Sequence, residues 1–321
     1  MPTSVTTRAE NRGTGKYEEL LARCKGMTPV PTAVAHPCDD ASLGAVVEAA
    51  RAGIIAPILV GPADRIRTVA KSADLDIAAY QLEETPHSHA AAARAVELVR
   101  LGRADLLMKG SLHTDELMSE VVRRETGVRT DRRVSHVFVM DVPTYHKPLV
   151  ITDAAVNIFP TLDDKRNIVQ NAIDFLRALG VERPKVAILS AVETVTTKIP
   201  STIEAAALCK MADRGQIQGA ILDGPLAFDN AISAEAARTK GIVSAVAGDP
   251  DIMLVPDLEA GNMLAKNLTF LSRADAAGLV LGARVPIILT SRADNQRTRM
   301  ASCGVAALYA AARRSAAIVG R

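Results

Sequence analysis

The stretch "KPLVITDAAVNIFPTLDDKRNIVQNAIDFLRALGVERPKVAILS", residues 147–190, decides the fold class. LVIT is a short, continuously apolar run, which reads as a strand buried on both faces. Thr161 then stands where a helix N-cap belongs, with Asp164 three residues later to complete the cap. Behind it Ile168, Val169, Ala172, Ile173, Leu176 and Leu179 recur at helical spacing, and Gly180 ends the pattern. VAILS is a second apolar strand. Strand, helix and strand within 44 residues is the unit from which parallel sheets covered by helices are built.

The same alternation extends in both directions. TAVAHP (32–37), IAPILVGP, ADLLMKG, SHVFVMDV, GAILDGPL, DIMLVPD, AGLVLG and VPIILT read as strands. Helices are expected over SLGAVVEAARAG, DRIRTVAKSA, SHAAAARAVELVRLG and DELMSEVVRR. The expected class is therefore α/β, in two domains, with largely parallel sheets covered by helices. The chain has 321 residues, which suits two cores of about 150 residues each. VPTYHKPLV (142–150) and the stretch near 283–290 suggest crossovers. The expected division is a disordered leader over 1–16, a first domain over 17–147 plus 286–321, and a second over 148–285.

Composition narrows the function. Thirty-eight Lys and Arg balance 36 Asp and Glu, and there is no Trp, with five Phe and four Tyr. Neither a basic stripe nor a set of stacking platforms for nucleic acid is present. No apolar run approaches the roughly 18 residues of a membrane span, and the N-terminus has no apolar core to act as a signal peptide. Cys24, Cys38, Cys209 and Cys303 are widely spaced, as expected of reduced cytoplasmic thiols, and no His/Cys cluster suggests a structural metal. GTGK at 13–16 lacks the first glycine, the final Ser/Thr and the preceding strand of a P-loop. No G-x-G-x-x-G, G-x-S-x-G or H-E-x-x-H occurs.

Function is expected beyond the strand ends, where open parallel sheets collect ligands. Ser111, His113 and Thr114 follow one strand; Asp153 and Asn157 follow another. Asp223, and then Asp257, Glu259 and Asn262, follow two more. Each alone reads as a turn or helix cap, but together they describe a rim that suits one cleft. "VPIILTSRADNQRTR" (285–299) ends a buried strand on a hydroxyl and a guanidinium. Arg292 can grip two oxygens of a phosphate in its planar fork, with Ser291 adding a donor. Arg129, Arg132 and Arg133 precede the SHVFVMDV strand, where either a solvated loop or a polyanion contact fits. His136 reads as a structural histidine, His146 falls at the expected domain crossover, and His113 is the better site candidate.

MKGSLHTDELM, RRVSHVFVMDVPTYHKPLVITDAAVNI, ILDGPLAFD, LVPDLEAGNMLAKNL and TSRADNQ occur in this order. Together they resemble the phosphate acetyltransferase/phosphate butyryltransferase family, from about residue 30 to the end. The resemblance implies an architecture similar to isocitrate and isopropylmalate dehydrogenases, with an interdomain cleft and a homodimer. It implies reversible transfer of a short acyl group between CoA and phosphate, with CoA a substrate and no metal or organic cofactor. It assigns Ser291 and Arg292 to the phosphoryl group and the developing negative charge. Ser111, His113, Thr114, Arg133 and Ser135 become candidates for binding. Acetyl-specific relatives resemble S-R-G-C-S-x-x-D, whose Asp takes the CoA thiol proton; Thr298 holds that position here. S-R-A-D is closer to the butyryl-type branch; Asp294 is the nearest carboxylate and the candidate base, with His113 or Asp153, or ionisation of the thiol without a base, as alternatives. Two other functions suit the residues: a decarboxylating dehydrogenase, if Asp153, Asp223 and Asp257 converge on a metal, and a non-catalytic subunit that binds CoA or acyl phosphate.

Overall fold

The computed structural model describes residues 15–290 and 294–319, with side chains to residue 315. The leader expected over 1–16 lies outside the described residues as far as residue 14. Lys16 belongs to a helix, and its Nζ donates to Asp141 Oδ1 at 2.9 Å. In chain order the first elements are α1 (Lys16–Cys24), β1 (Val30–Ala35), α2 (Asp40–Arg51), β2 (Ile55–Gly61), α3 (Ala63–Ser72), β3 (Gln81–Glu84), α4 (Ser88–Arg100), β4 (Leu106–Lys109) and α5 (Thr114–Val121). Next come β5 (Ser135–Asp141), β6 (Leu149–Thr152), α6 (Leu162–Ala178), β7 (Lys185–Leu189), α7 (Pro200–Asp213) and β8 (Ile221–Leu226). The chain ends with α8 (Phe228–Ile232), α9 (Ala234–Thr239), β9 (Ile252–Leu254), α10 (Leu258–Phe270), β10 (Asp275–Leu281), β11 (Ile287–Ile288) and α11 (Gln296–Val319).

The strands form one 11-stranded sheet in the order β3-β2-β1-β4-β11-β10-β5-β6-β9-β7-β8. Every pairing is parallel except those of β10 with β11 and β5, and of β5 with β6. The expected α/β class with a mostly parallel sheet is therefore correct. The stretches near 142–150 and 283–290 are antiparallel connections between adjacent strands in the middle of the sheet. β3 has no counterpart in the sequence reading. Its residues, QLEE, are polar because it is an edge strand with only β2 beside it.

α6 is built as its residues dictate. Thr161 accepts from the Asp164 backbone N–H at 3.2 Å, and the Asp164 carboxylate accepts from the Thr161 N–H at 3.1 Å. Two helix-end donors are thereby satisfied. Ile168, Val169, Ala172 and Ile173 are fully buried against the sheet.

Alternation along the strands sorts side chains onto two unlike faces. On one face Val34, Met108, Ile288, Leu279, Val137, Val150, Leu254 and Ile188 join α2, α6 and α11 in a single core across the sheet. On the other face the apolar residues form two separate cores. Ala33, Leu107, Ile287 and Val280 pack under α4 and α5. Met140, Ile151, Met253 and Ala187 pack with Ala231 of α8 and Ala265 of α10. Between these two cores lie the middle of β10 and β5, where Gly278, His136 and Phe138 sit side by side. The interrupted face is what makes room for a site.

Candidate active site

A cavity of about 610 Å³ occupies that interruption. Its floor is His136 and Phe138 of β5 with Ala276 of β10. Thr114 opens α5 on one side, while Ala155, just after β6, and Asn262 of α10 line the other. Thr290, Asp294, Asn295 and Thr298 close it where the chain enters α11. Lys266 and Arg273 stand at the exposed rim, where they suit a polyanionic ligand.

Strand sense determines which predicted residues meet. β1, β4 and β11 run one way, and β6, β9, β7 and β8 the other. The registers nonetheless set Lys109, the last residue of β4, level with Ile151 near the end of β6, so the carboxyl ends of these opposed strands meet over the middle of the sheet rather than along one edge. Thr114, Asn262 and Asp294 reach the cavity. Asp223 lies on the edge strand β8, where its carboxylate accepts from the Gly224 N–H at 2.9 Å. Asp257 is the N-cap of α10, accepting from the Ala260 N–H at 2.9 Å, and Glu259 is exposed in the first turn. Ser111 donates to the His36 carbonyl at 2.9 Å and so ties the end of β4 to the end of β1. His113 is an exposed N-cap residue of α5 with no side-chain capping bond.

Asp153 holds a loop together. It is 2% exposed; Oδ1 accepts from the Ala155 and Val156 N–H groups, both at 3.0 Å, and Oδ2 from the N–H and side-chain amide of Asn157. Both oxygens are occupied, which leaves little capacity to accept a substrate proton. Asn157 passes the constraint on, donating to the Val134 carbonyl at 2.9 Å and accepting from Arg133 Nε at 2.7 Å. Ser135 faces away from the cavity and accepts from Asn171 of α6 at 2.9 Å. Gly261 lets α10 approach this loop: a Cβ there would lie 2.9 Å from Ala154 Cβ and from the Asp153 carbonyl oxygen.

Ser291 and Arg292 lie outside the described residues. Their neighbours are placed: Thr290 is buried, and Asp294 lines the cavity. Asn295 caps α11, accepting from the Thr298 N–H at 2.8 Å, so a helix N-terminus opens at the cavity wall. Two cations overlooked in the sequence flank this segment. Lys109 and Arg299 are each 6% exposed and, with Asp39, Ser42, Gly110 and Thr290, line a pocket of about 100 Å³. Both lie within quoted stretches, but only tertiary packing reveals that they are buried together. Arg299 Nε donates to the Asp294 carbonyl at 3.2 Å.

His136 is another residue whose place the sequence does not show. Within SHVFV it alternates with Val137, and nothing local distinguishes a cavity floor from a core position. The fold buries it to 1% and pushes its pKa down to about 4, by desolvation, against the opposing pull of the Asp153 carboxylate.

Comparison with known proteins gives a consistent result. A family model described as "Phosphate acetyl/butaryl transferase" matches residues 85–307. A phosphate acetyltransferase of Rhizobium meliloti is 67% identical over 303 residues, covering 94% of this chain and 96% of that protein. A phosphate butyryltransferase of Clostridium beijerinckii is 43% identical over 295 residues, covering 92% and 98%. The crystal structure of a branched-chain phosphotransacylase from Enterococcus faecalis V583 superposes with a TM-score of 0.77 at 29% identity, covering 88% of this chain and 99% of that one.

Proposed function

The chain belongs to the phosphate acetyl/butyryl transferase family, and on that premise we propose that it moves a short acyl group, acetyl by preference, reversibly between CoA and inorganic phosphate. One observation carries the acetyl preference: the phosphate acetyltransferase relative is far closer in sequence than the butyryltransferase, with near-complete coverage in both cases. A cavity of mixed polar and apolar lining, rimmed by Lys266 and Arg273 between two cores, supports the reading, since CoA and acyl phosphate are both anions.

The roles are proposed as follows. Ser291 and Arg292, between buried Thr290 and cavity-lining Asp294, hold the phosphoryl group. The N-terminus of α11 and buried Lys109 and Arg299 set a positive field around that segment. Asp294 takes the thiol proton, because Thr298 cannot serve as a base near neutral pH and Asp153 is saturated by amide donors. Thr114 and Asn262 contact substrate across the cavity. Holding two large anions in line supplies much of the rate.

We also read the architecture as two domains with an isocitrate/isopropylmalate dehydrogenase-like plan, divided near 147 and 286. The two separate cores on one face support this. A cytoplasmic homodimer working without metal or organic cofactor belongs to the same proposal. No described helix is long and apolar enough to cross a membrane. The dehydrogenase alternative needs Asp153, Asp223 and Asp257 to converge, and among the described residues no group of three His, Cys, Asp or Glu side chains is placed to hold a metal.

The test is a panel of acyl-CoAs from C2 to C6 with phosphate, following free thiol. Acetyl-CoA should give the highest kcat/KM. No thiol release above background from any of them would sink the transferase reading; a butyryl-CoA optimum would overturn only the acetyl preference.

A further inference from the structure

The opposed strands meet in one row across the sheet. Lys109, Leu289, Gly278, Phe138 and Ile151 lie side by side there, on β4, just past β11, and on β10, β5 and β6. A Cβ at Gly278 would stand 3.0 Å from the Leu289 carbonyl oxygen, so the row is tight at that point. Open α/β sheets bind ligands beyond the carboxyl ends of their strands, which places the reacting groups over this row. Along the cavity side of β5, His136 is 1% exposed and Met140 is fully buried, while Phe138 between them is half-buried and lines the cavity. The Phe138 ring is held. His136 meets it edge-on, with centroids 4.4 Å apart and planes at 68°, and the ring packs on the core that contains Met140 and Ile151. Thr152 Oγ1 donates to the His136 carbonyl at 2.8 Å and steadies the strand. The other side chains that this core lends to the cavity are small: Ala265, Ala274 and Ala276. Charge in the lining belongs to Lys266 and Arg273, both exposed, to Asp275, which Arg297 holds at 2.6 Å, and to Asp294.

We propose that Phe138 is a specificity-determining residue: its ring is the end wall of the acyl subsite and confines the transferred group to acetyl. This rests on the functional reading above. The anionic parts of the substrates suit the cationic rim and the Ser291-Arg292 pair between Thr290 and Asp294. The acyl chain is the apolar end of either substrate, and the apolar surface left for it is the alanines and the exposed part of Phe138. A methyl group fits against that surface with nothing displaced. Each further methylene must move a ring that His136 and the Met140 core hold in place, which overpacks the site. Otherwise the chain turns back towards polar side chains such as Asn262 and Asp294 and forgoes its burial. A fixed wall therefore rejects length, whereas an open apolar pocket would reward it.

The experiment compares wild type, Phe138→Ala and Phe138→Leu in phosphate-dependent thiol release from acetyl-CoA and butyryl-CoA, with a thermal melt of each. The readout is the ratio of kcat/KM for butyryl-CoA to that for acetyl-CoA, which a general loss of folded enzyme does not move. Phe138→Ala removes the wall, and the ratio should rise at least about tenfold, the low end of what one methylene is worth in an apolar pocket. Phe138→Leu shortens the wall and should raise the ratio in the same direction by less. KM for CoA, measured in the reverse direction with acetyl phosphate, should stay within about threefold in both variants, since the ring touches the acyl group and not its carrier. A folded alanine variant whose ratio rises less than about threefold overturns the proposal. So does one in which both substrates decline together as the melting temperature drops, because Phe138 would then act through packing alone. A raised KM for CoA at an unchanged ratio also overturns it, since the ring would then contact CoA itself. If alanine prevents folding, leucine, which keeps an apolar side chain against His136, decides: a ratio at least about threefold above wild type supports the wall, and anything less refutes it. Wild type without thiol release from any acyl-CoA would instead condemn the functional reading itself.

Discussion

Asp153→Asn is expected to damage the fold before it damages the chemistry. Each carboxylate oxygen of Asp153 accepts two N–H donors, from Ala155 and Val156 at one and from Asn157 backbone and side chain at the other. An asparagine keeps one oxygen. In either orientation its amide group points N–H bonds at two N–H donors and leaves that pair without an acceptor. A buried donor left unsatisfied costs about 1–3 kcal/mol, and partial relaxation of the loop brings the pair to about 2–4 kcal/mol. At about 1.5 °C for each kcal/mol in a chain of this size, the melting temperature should fall by about 3–6 °C. The assay is a thermal melt by circular dichroism beside thiol release measured well below the transition. Had Asp153 been the proton acceptor, the outcome would differ: an intact fold with kcat lowered by about 10²- to 10⁴-fold. A melting temperature within a degree of wild type, together with that loss of kcat, would refute the assignment of Asp153 to structure.

Asp294→Asn should lower kcat by about 10²- to 10⁴-fold with little change in the CoA KM; an unaltered kcat removes Asp294 from the mechanism. Arg292→Lys keeps charge but loses the bidentate fork, so kcat/KM for phosphate should fall at least about tenfold, and Arg292→Gln should be worse. Phosphate kinetics like wild type in the lysine variant would return Arg292 to a solvated loop. Thr161→Ala removes the α6 capping box, which should cost about 1 kcal/mol and about 1.5 °C in melting temperature while leaving kcat alone; an unchanged melt counts against the cap. Burial pushes the thiols of Cys24 and Cys38 up to about 11 and those of Cys209 and Cys303 to about 12. Thiolate is therefore scarce at pH 8 and grows about tenfold per pH unit below those values. The native protein should label slowly with a disulfide reagent at pH 8 and release all four thiols in denaturant; prompt native labelling would contradict the burial.

What the sequence by itself determined is whatever depends on neighbours along the chain. Thr161, Asp164, Gly180 and the stripe between them specify α6, because capping and helical periodicity act within a few residues. Apolar runs such as LLMK and LVIT specify buried strands, since only a strand covered on both faces tolerates them. Five ordered blocks suffice to mark the family, and the polar residues that follow the strands include Thr114, Asn262 and Asp294, which line the cavity. Tertiary structure alone decided the rest. Strand sense and register are set by pairings between residues far apart, so neither the opposed directions of β4 and β6 nor the meeting of their carboxyl ends over the middle of the sheet is legible locally. Whether a carboxylate is free or saturated depends on which donors the fold brings to it, and for Asp153 that set depends on how the following loop turns back. Lys109 and Arg299 are 190 residues apart in sequence yet share one small pocket. His136 and Val137 are alike in sequence as alternating strand residues. One faces a continuous core and the other the gap between two cores, because helices cover the two sides of the sheet differently, and no local pattern encodes that.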